Sequence, residues 1–294
     1  MPLCWVSALW CCVLACSIVY RGCAIPVAWK VLAAHDKTPW RKEWLRLLRQ
    51  LRPAVPGDYC VIVLADRGLY ARWLFRRIVR LGWHPFLRVN KRGTFCPQGA
   101  PQDKMISFVA QVGGCWSGRG RAFCEPTNRL DCTLLAYWEK GCAEPWLILT
   151  DLAPVPGRAA WYGLRAWIEQ GFKITKRGGW QWQRTQMRDA ERAARLWLAV
   201  AVATLWVLAV GGEAEVSAQG NPWEAGFQPP LPLLQAAQRR QTRTGQVRLV
   251  SVFRRGWVRL LVALWGGQEL PQGAFWPEPW PTLPVAEGRH LDPS

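Results

Sequence analysis

The chain has 294 residues, 38 of them Lys or Arg against 20 Asp or Glu, for a formal net charge of +18. Half the residues are apolar and a fifth charged, which supplies a core and excludes intrinsic disorder as the main state. So positive a chain does not fit an enzyme of neutral metabolites and points to a polyanionic partner, nucleic acid or an anionic membrane surface.

Residues 1–20 carry no charge, and the first basic residue is Arg21. A signal peptide would place its positive region before the apolar run. The Arg21-Gly22 turn followed by Cys-Ala-Ile-Pro-Val-Ala-Trp predicts strand–turn–strand. Over 36–56, Trp40, Trp44, Leu47, Leu48 and Leu51 recur at helical spacing among Arg and Lys, until Pro53 and Pro56 end the pattern. Tyr59 to Ala65 is a continuous apolar run of strand length, as in a buried strand. It stops at Asp66-Arg67-Gly68, and helical periodicity resumes from Leu69 to Leu81. Asp66 therefore falls at the carboxyl end of a central strand, where α/β folds place their chemistry.

Over 85–150 short apolar runs alternate with turn clusters, a β-rich stretch with hairpins. Helix returns from Ala159 to about Lys176, and again, strongly apolar, from Glu191 to Val210. The uncharged run within it, Leu196 to Val210, is short for a membrane span and suits a buried helix. Beyond Gly211 the chain turns Pro- and Gln-rich, with a basic segment at 238–259 and a Pro/Trp end. The 11 cysteines are odd in number and include no C-x-x-C pair; they read as reduced, small, buried hydrophobes of a cytoplasmic protein. The 21 tryptophans read mostly as core, with stacking on nucleic acid as the alternative. His35, His84 and His290 sit in no nucleophile or zinc motif and read as surface or loop residues.

The stretch richest in chemistry is Trp161 to Lys176. Tyr162, Arg165, Glu169 and Lys176 are offset by 0, 3, 7 and 14 residues. On a regular α-helix these fall at roughly 0°, 300°, 340° and 320°, one narrow stripe. Leu164, Trp167 and Ile168 face the other way. One carboxylate flanked by two cations and a phenol suits a metal ion held against phosphate. The plainer alternative is a solvated stripe with an Arg165–Glu169 i,i+4 pair, worth a few tenths of a kcal/mol.

The spacing Tyr-x2-Arg-x3-Glu-x6-Lys resembles the signature of bacterial insertion-sequence transposases of the DDE class. The apolar strand ending in Asp66-Arg-Gly looks like the second catalytic Asp of that family, and Glu169 like its third acid. The resemblance covers roughly residues 15–212. It implies an α/β, RNase H-like fold: a mixed sheet flanked by helices, interrupted by a β-rich insertion between Asp66 and the Glu169 helix. It implies a front part of the catalytic core at 1–84, the insertion at 85–158, the Glu helix and closing helices at 159–216 and a basic tail at 217–294. It also implies two Mg²⁺ ions bridged by carboxylates, with Asp66 and Glu169 as ligands, that activate water and then a 3′-hydroxyl for in-line attack on phosphate. Tyr162, Arg165 and Lys176 would grip DNA near the cut, with Arg67, Arg177, Trp180 and Trp182 as further DNA contacts. The partners implied are double-stranded transposon ends and target DNA, in a cytoplasmic protein that forms a homodimer and involves no membrane.

The family's first catalytic Asp, expected on a strand upstream of a hairpin like Ile18 to Ala24, has no counterpart. Nothing acidic precedes Asp36, which follows the hairpin at the entry to a helix. The sequence therefore reads as truncated at the front, with little or no transposition activity. Two other readings remain: a basic protein that holds DNA without cutting it, and a membrane-associated basic protein using residues 1–20 and 196–210.

Overall fold

The structure is a computed structural model and describes residues 5–7, 11–34, 40–123, 125, 127–155, 157–219 and 250–278. His35, Asp36, His290 and much of the basic tail lie outside the described residues. The chain divides into two compact units.

The first unit, Gly57–Gly163, is built on a seven-stranded sheet. Its strands are β4 (Ile62–Ala65), β5 (His84–Arg88), β6 (Thr94–Pro97), β7 (Asp103–Lys104), β8 (Cys115–Ala122), β9 (Leu130–Tyr137) and β10 (Trp146–Thr150), in the order β4-β5-β10-β9-β8-β6-β7. β4 and β5 are parallel and every other neighbouring pair is antiparallel. The crossover between these parallel neighbours is made by α2 (Arg72–Arg80), which buries Leu74, Phe75 and Ile78. The expected helix over 69–81 thus starts three residues late, because the Asp66 turn and Tyr70 stay non-helical. Strand β4, expected in the front part of the core, shares this sheet with the strands expected in the insertion, and it is the edge strand, half-buried over Ile62–Leu64, rather than the buried central strand expected over 59–65. Phe86, Leu135, Trp146, Ile148, Ala159 and Tyr162 form one continuous cluster in the unit.

The second unit comprises the described residues of Leu3–Pro56 and Leu164–Pro279. Its sheet has the order β1-β2-β3, with β1 (Trp5–Ser7) beside a long hairpin of β2 (Cys11–Tyr20) and β3 (Cys23–Ala33). The hairpin turns at Arg21-Gly22, as the sequence predicts. A bulge between Cys16 and Ser17 lies where Pro26 faces Ser17, since proline cannot donate to the ladder. Helix α1 (Arg41–Leu51) buries Trp44, Leu47 and Leu48. Helix α3 (Arg165–Lys173) follows a 3₁₀ segment, Arg158–Leu164.

Helix α4 (Ala190–Gln219) is longer than the apolar run alone predicts. Its Ala193 and Trp197 pack with Cys11, Val13, Ala15 and Val31 of the hairpin, and Trp29 Nε1 donates to the Ala194 carbonyl at 3.2 Å. By length and composition, Ala190–Ser217 is the one helix among the described residues that could cross a membrane; half of its apolar window is buried inside the protein. Within the stretch expected as a basic tail, α5 (Val252–Trp265) packs on α4. Gly211 and Gly256 allow the two backbones to meet: a Cβ on either would lie 2.0 or 1.9 Å from a carbonyl oxygen of the other helix.

The cysteines correct one expectation. Cys12 is disulfide-bonded, whereas Cys11, Cys16, Cys60, Cys96, Cys115 and Cys132 are thiols. Burial pushes the thiols of Cys16 and Cys132 up to about 12, so they pack as inert apolar groups rather than nucleophiles.

Candidate functional site

Asp66 is the first residue beyond β4. Its Oδ1 accepts hydrogen bonds from the Gly68 N–H at 2.9 Å and the Leu69 N–H at 3.2 Å, and its carbonyl oxygen accepts from Leu69 at 3.1 Å. This is an Asx turn, in which a short carboxylate fixes the backbone that follows it. Ala65 pairs with Leu87, so the next residues along the two parallel strands, Asp66 and Arg88, stand level at the carboxyl end of the pair.

Cations collect at that end. Arg67 donates to Glu144 Oε2 at 2.6 Å, and Lys91 Nζ lies 3.2 Å from Glu144 Oε1. Lys91, and then Arg67, hold the Glu144 carboxyl below the usual carboxylate range. Arg88 donates to the carbonyl of the adjacent Pro145 at 3.3 Å. Sequence reasoning found Arg67 but missed Arg88, Lys91 and Glu144. The signal for the first two was the apolar run at 85–87 ending in cations, as the β4 run ends in Asp66; Glu144 left none. His84, read as a surface or loop residue, opens β5 and has Nδ1 3.1 Å from both carboxylate oxygens of Asp151.

Glu169 lies in the second unit on α3, exposed, with its carboxylate held by Arg165 one turn earlier. The buried side of the helix is set by Ile168 and Gly171. Gly171 is obligatory there, because a Cβ would lie 2.9 Å from the Ala24 carbonyl oxygen of β3. The helix then opens into a π segment, Ile174–Gly178, a distortion frequent at functional positions. Lys176 sits in it half-buried, and burial, then the neighbouring Arg177, lower its ammonium below its ordinary value. Arg177 is exposed.

The single helical stripe predicted for Tyr162, Arg165, Glu169 and Lys176 is not what the backbone forms. The segment passes from 3₁₀ to α to π, and only Arg165 and Glu169 share regular α-helix. Tyr162 is 3 % exposed, its ring 5.4 Å from that of Trp146. Trp182 is also 3 % exposed and packs edge-on against Trp197. Trp180 packs against Phe253 and Trp257 and donates Nε1 to Thr204 Oγ1 at 2.8 Å. Tyr162 and Trp182 are buried in packed clusters and offer no stacking face, whereas Trp180 is half-buried.

For a divalent metal, Asp66 and Glu169 are donors of the right kind, hard carboxylate oxygens. Among the described residues no group of three or more His, Cys, Asp or Glu could hold an ion.

A family model described as "Transposase DDE domain" matches residues 10–206, about two thirds of the chain. The chain belongs to the transposase DDE domain family. The match runs from the hairpin into α4 and takes in both Asp66 and Glu169; α5 lies beyond it. The α/β architecture, with its mixed sheet and flanking helices, agrees with an RNase H-like DDE domain. No curated protein matches the chain.

Proposed function

We propose that this DDE transposase domain acts in cut-and-paste DNA transposition by metal-dependent strand cleavage and transfer, and that Asp66 and Glu169 are its metal ligands. The observation that carries the reading is the Asp66 turn at the carboxyl end of β4 in a chain of this family. The branch with the Tyr-x2-Arg-x3-Glu-x6-Lys signature is the one it fits. Mg²⁺ held by the two carboxylates would supply Lewis-acid activation of water and of a 3′-hydroxyl. The chain's own contribution is positioning. The Asx turn fixes the Asp66 carboxylate, and Arg165 restrains Glu169. Arg165, Lys176, Arg67 and Arg177 take DNA phosphates. Tyr162 and Trp182, named as DNA contacts from the sequence, are buried at 3 % exposure and enter instead as packing, while half-buried Trp180 remains a DNA contact in this reading. The working form we envisage is cytoplasmic and dimeric, on double-stranded transposon ends and target DNA.

The test is cleavage of a duplex carrying the element's terminal repeat, in Mg²⁺ or Mn²⁺. Activity lost in Glu169→Gln and in Asp66→Asn, with DNA affinity kept, supports the reading. Cleavage that persists in both variants overturns it.

A second reading is favoured by the net charge of +18, which supports phosphate contacts with or without cleavage. On this reading the chain holds DNA by phosphate contacts and cuts weakly or not at all. It predicts DNA binding without cleavage in either metal, with an affinity indifferent to Asp66→Ala. The membrane reading ranks third: α4 buries Ala193, Trp197, Val207 and Leu208 against the hairpin and α5, while Leu198, Val202, Leu205 and Trp206 stay exposed.

A further inference from the structure

We propose that Arg67, Arg88 and Lys91 form a second phosphate-binding site beside Asp66, and that the Glu144 carboxylate holds the place of the phosphate when DNA is absent. The proposal rests on the DNA-binding reading above.

Three separate segments bring these groups together. Arg67 comes from the turn after β4, Arg88 and Lys91 from the end of β5 and the turn beyond it, and Glu144 from the approach to β10. A carboxylate and a phosphate present the same paired oxygen acceptors to guanidinium and ammonium groups. Glu144 already uses one oxygen for Arg67, at 2.6 Å, and the other for Lys91, at 3.2 Å. That is the bridge between two cations that a backbone phosphate makes. Three cations against Glu144 and the neighbouring Asp66 still leave the cluster positive by one, so the internal anions satisfy it only in part.

Exchange is also cheap. The side chains of Arg67, Lys91 and Glu144 are 46 %, 52 % and 34 % exposed, and ion pairs this wet contribute little to stability. Glu144 can turn into solvent while a DNA phosphate takes its position. The contacts are to charge and not to base edges, so the site adds affinity and register without sequence preference. Glu144 then sets the threshold: it weakens unspecific binding by competing for the same cations.

The experiment measures equilibrium binding of the full chain to a fluorescent mixed-sequence DNA duplex over a range of salt. The wild type is compared with Glu144→Gln, which keeps the shape and removes the charge. Asp58→Asn, an exposed acid outside the cluster, controls for net charge. Glu144→Gln should tighten binding several-fold at low salt and steepen the log K against log[salt] slope by about one to two, as up to two freed cations each release a counterion. Asp58→Asn should leave the slope unchanged. Adding Lys91→Gln to Glu144→Gln should remove most of the gain. A Glu144→Gln chain indistinguishable from Asp58→Asn, or a gain that survives Lys91→Gln and Arg67→Gln together, overturns the proposal. A wild type with no salt-dependent DNA binding overturns the DNA-binding reading itself, which is a different result.

Discussion

Arg21 has two tasks that pull against each other. It occupies the hairpin turn with φ +42°, ahead of Gly22 at +82°, and two-residue hairpin turns of this kind prefer Asn or Gly at both positions. Yet its side chain is buried, bonded to Glu215 at 2.6 Å, and it donates to the carbonyls of Trp276 and Pro277 at 3.0 and 3.3 Å. The turn strain persists because this network fixes the residue. Removing one member of a buried pair costs about 3–5 kcal/mol, since the other charge is stranded. Arg21→Ala should therefore lower the urea midpoint by that equivalent, although alanine relieves none of the positive φ. The double variant with Glu215→Ala should cost less than the sum of the two singles, because each single leaves a charge uncompensated. The turn itself was legible in the sequence as Arg-Gly between two apolar runs. The role of Arg21 was not, because its partner lies 194 residues away and local pattern carries no such information.

Among the elements, the strand ends were readable and the helix type was not. The apolar run ending in Asp-Arg-Gly reads as a strand meeting a turn, and Asp66 does follow β4; but β4 is a four-residue, half-buried strand at the edge of its sheet, not the buried central strand the run suggests, because hydrophobicity alone does not say how many neighbours a strand has. The run from Tyr162 to Lys176 has equally clear periodicity, but whether a turn is 3₁₀, α or π depends on what it packs against. Here Ala159 and Tyr162 join the sheet cluster of the first unit, while Gly171 must meet Ala24 of the hairpin. The backbone changes pitch between those two demands, and the four-residue stripe is lost. The α4–α5 contact was likewise invisible, because α5 sits in a segment whose composition suggested tail. That contact makes a test. Alanine is favoured over glycine inside a helix by about 1 kcal/mol, so propensity alone says Gly256→Ala stabilises. Its Cβ would meet the Val207 carbonyl oxygen at 1.9 Å, and backbone cannot rotate aside as a side chain can. Overpacking of this kind costs about 1–3 kcal/mol or more. The expected result is net destabilisation, read as a lower melting temperature with circular dichroism of the helices retained.

At the scale of the whole molecule, the charge of +18 and the apolar helix α4 make opposed predictions about what the protein binds. If DNA is the partner and Arg67, Arg165, Lys176 and Arg177 each neutralise one phosphate, log K falls against log[salt] with a slope of about −3.6. Raising salt from 50 to 200 mM then weakens binding roughly 150-fold. Binding to anionic vesicles by the same surface charge would be screened in the same range, because exposed charges lose each other beyond a Debye length of about 8–10 Å. Insertion of α4 into a bilayer would not be, since its driving force is the transfer of apolar surface from water. The two are separated by incubating the protein with phosphatidylserine-containing vesicles, floating them, and washing at 1 M salt. The expected outcome is complete release from vesicles together with the steep salt dependence on DNA. Protein that stays with the vesicles at 1 M salt would place α4 in the membrane and withdraw the buried role assigned here to Ala193 and Trp197.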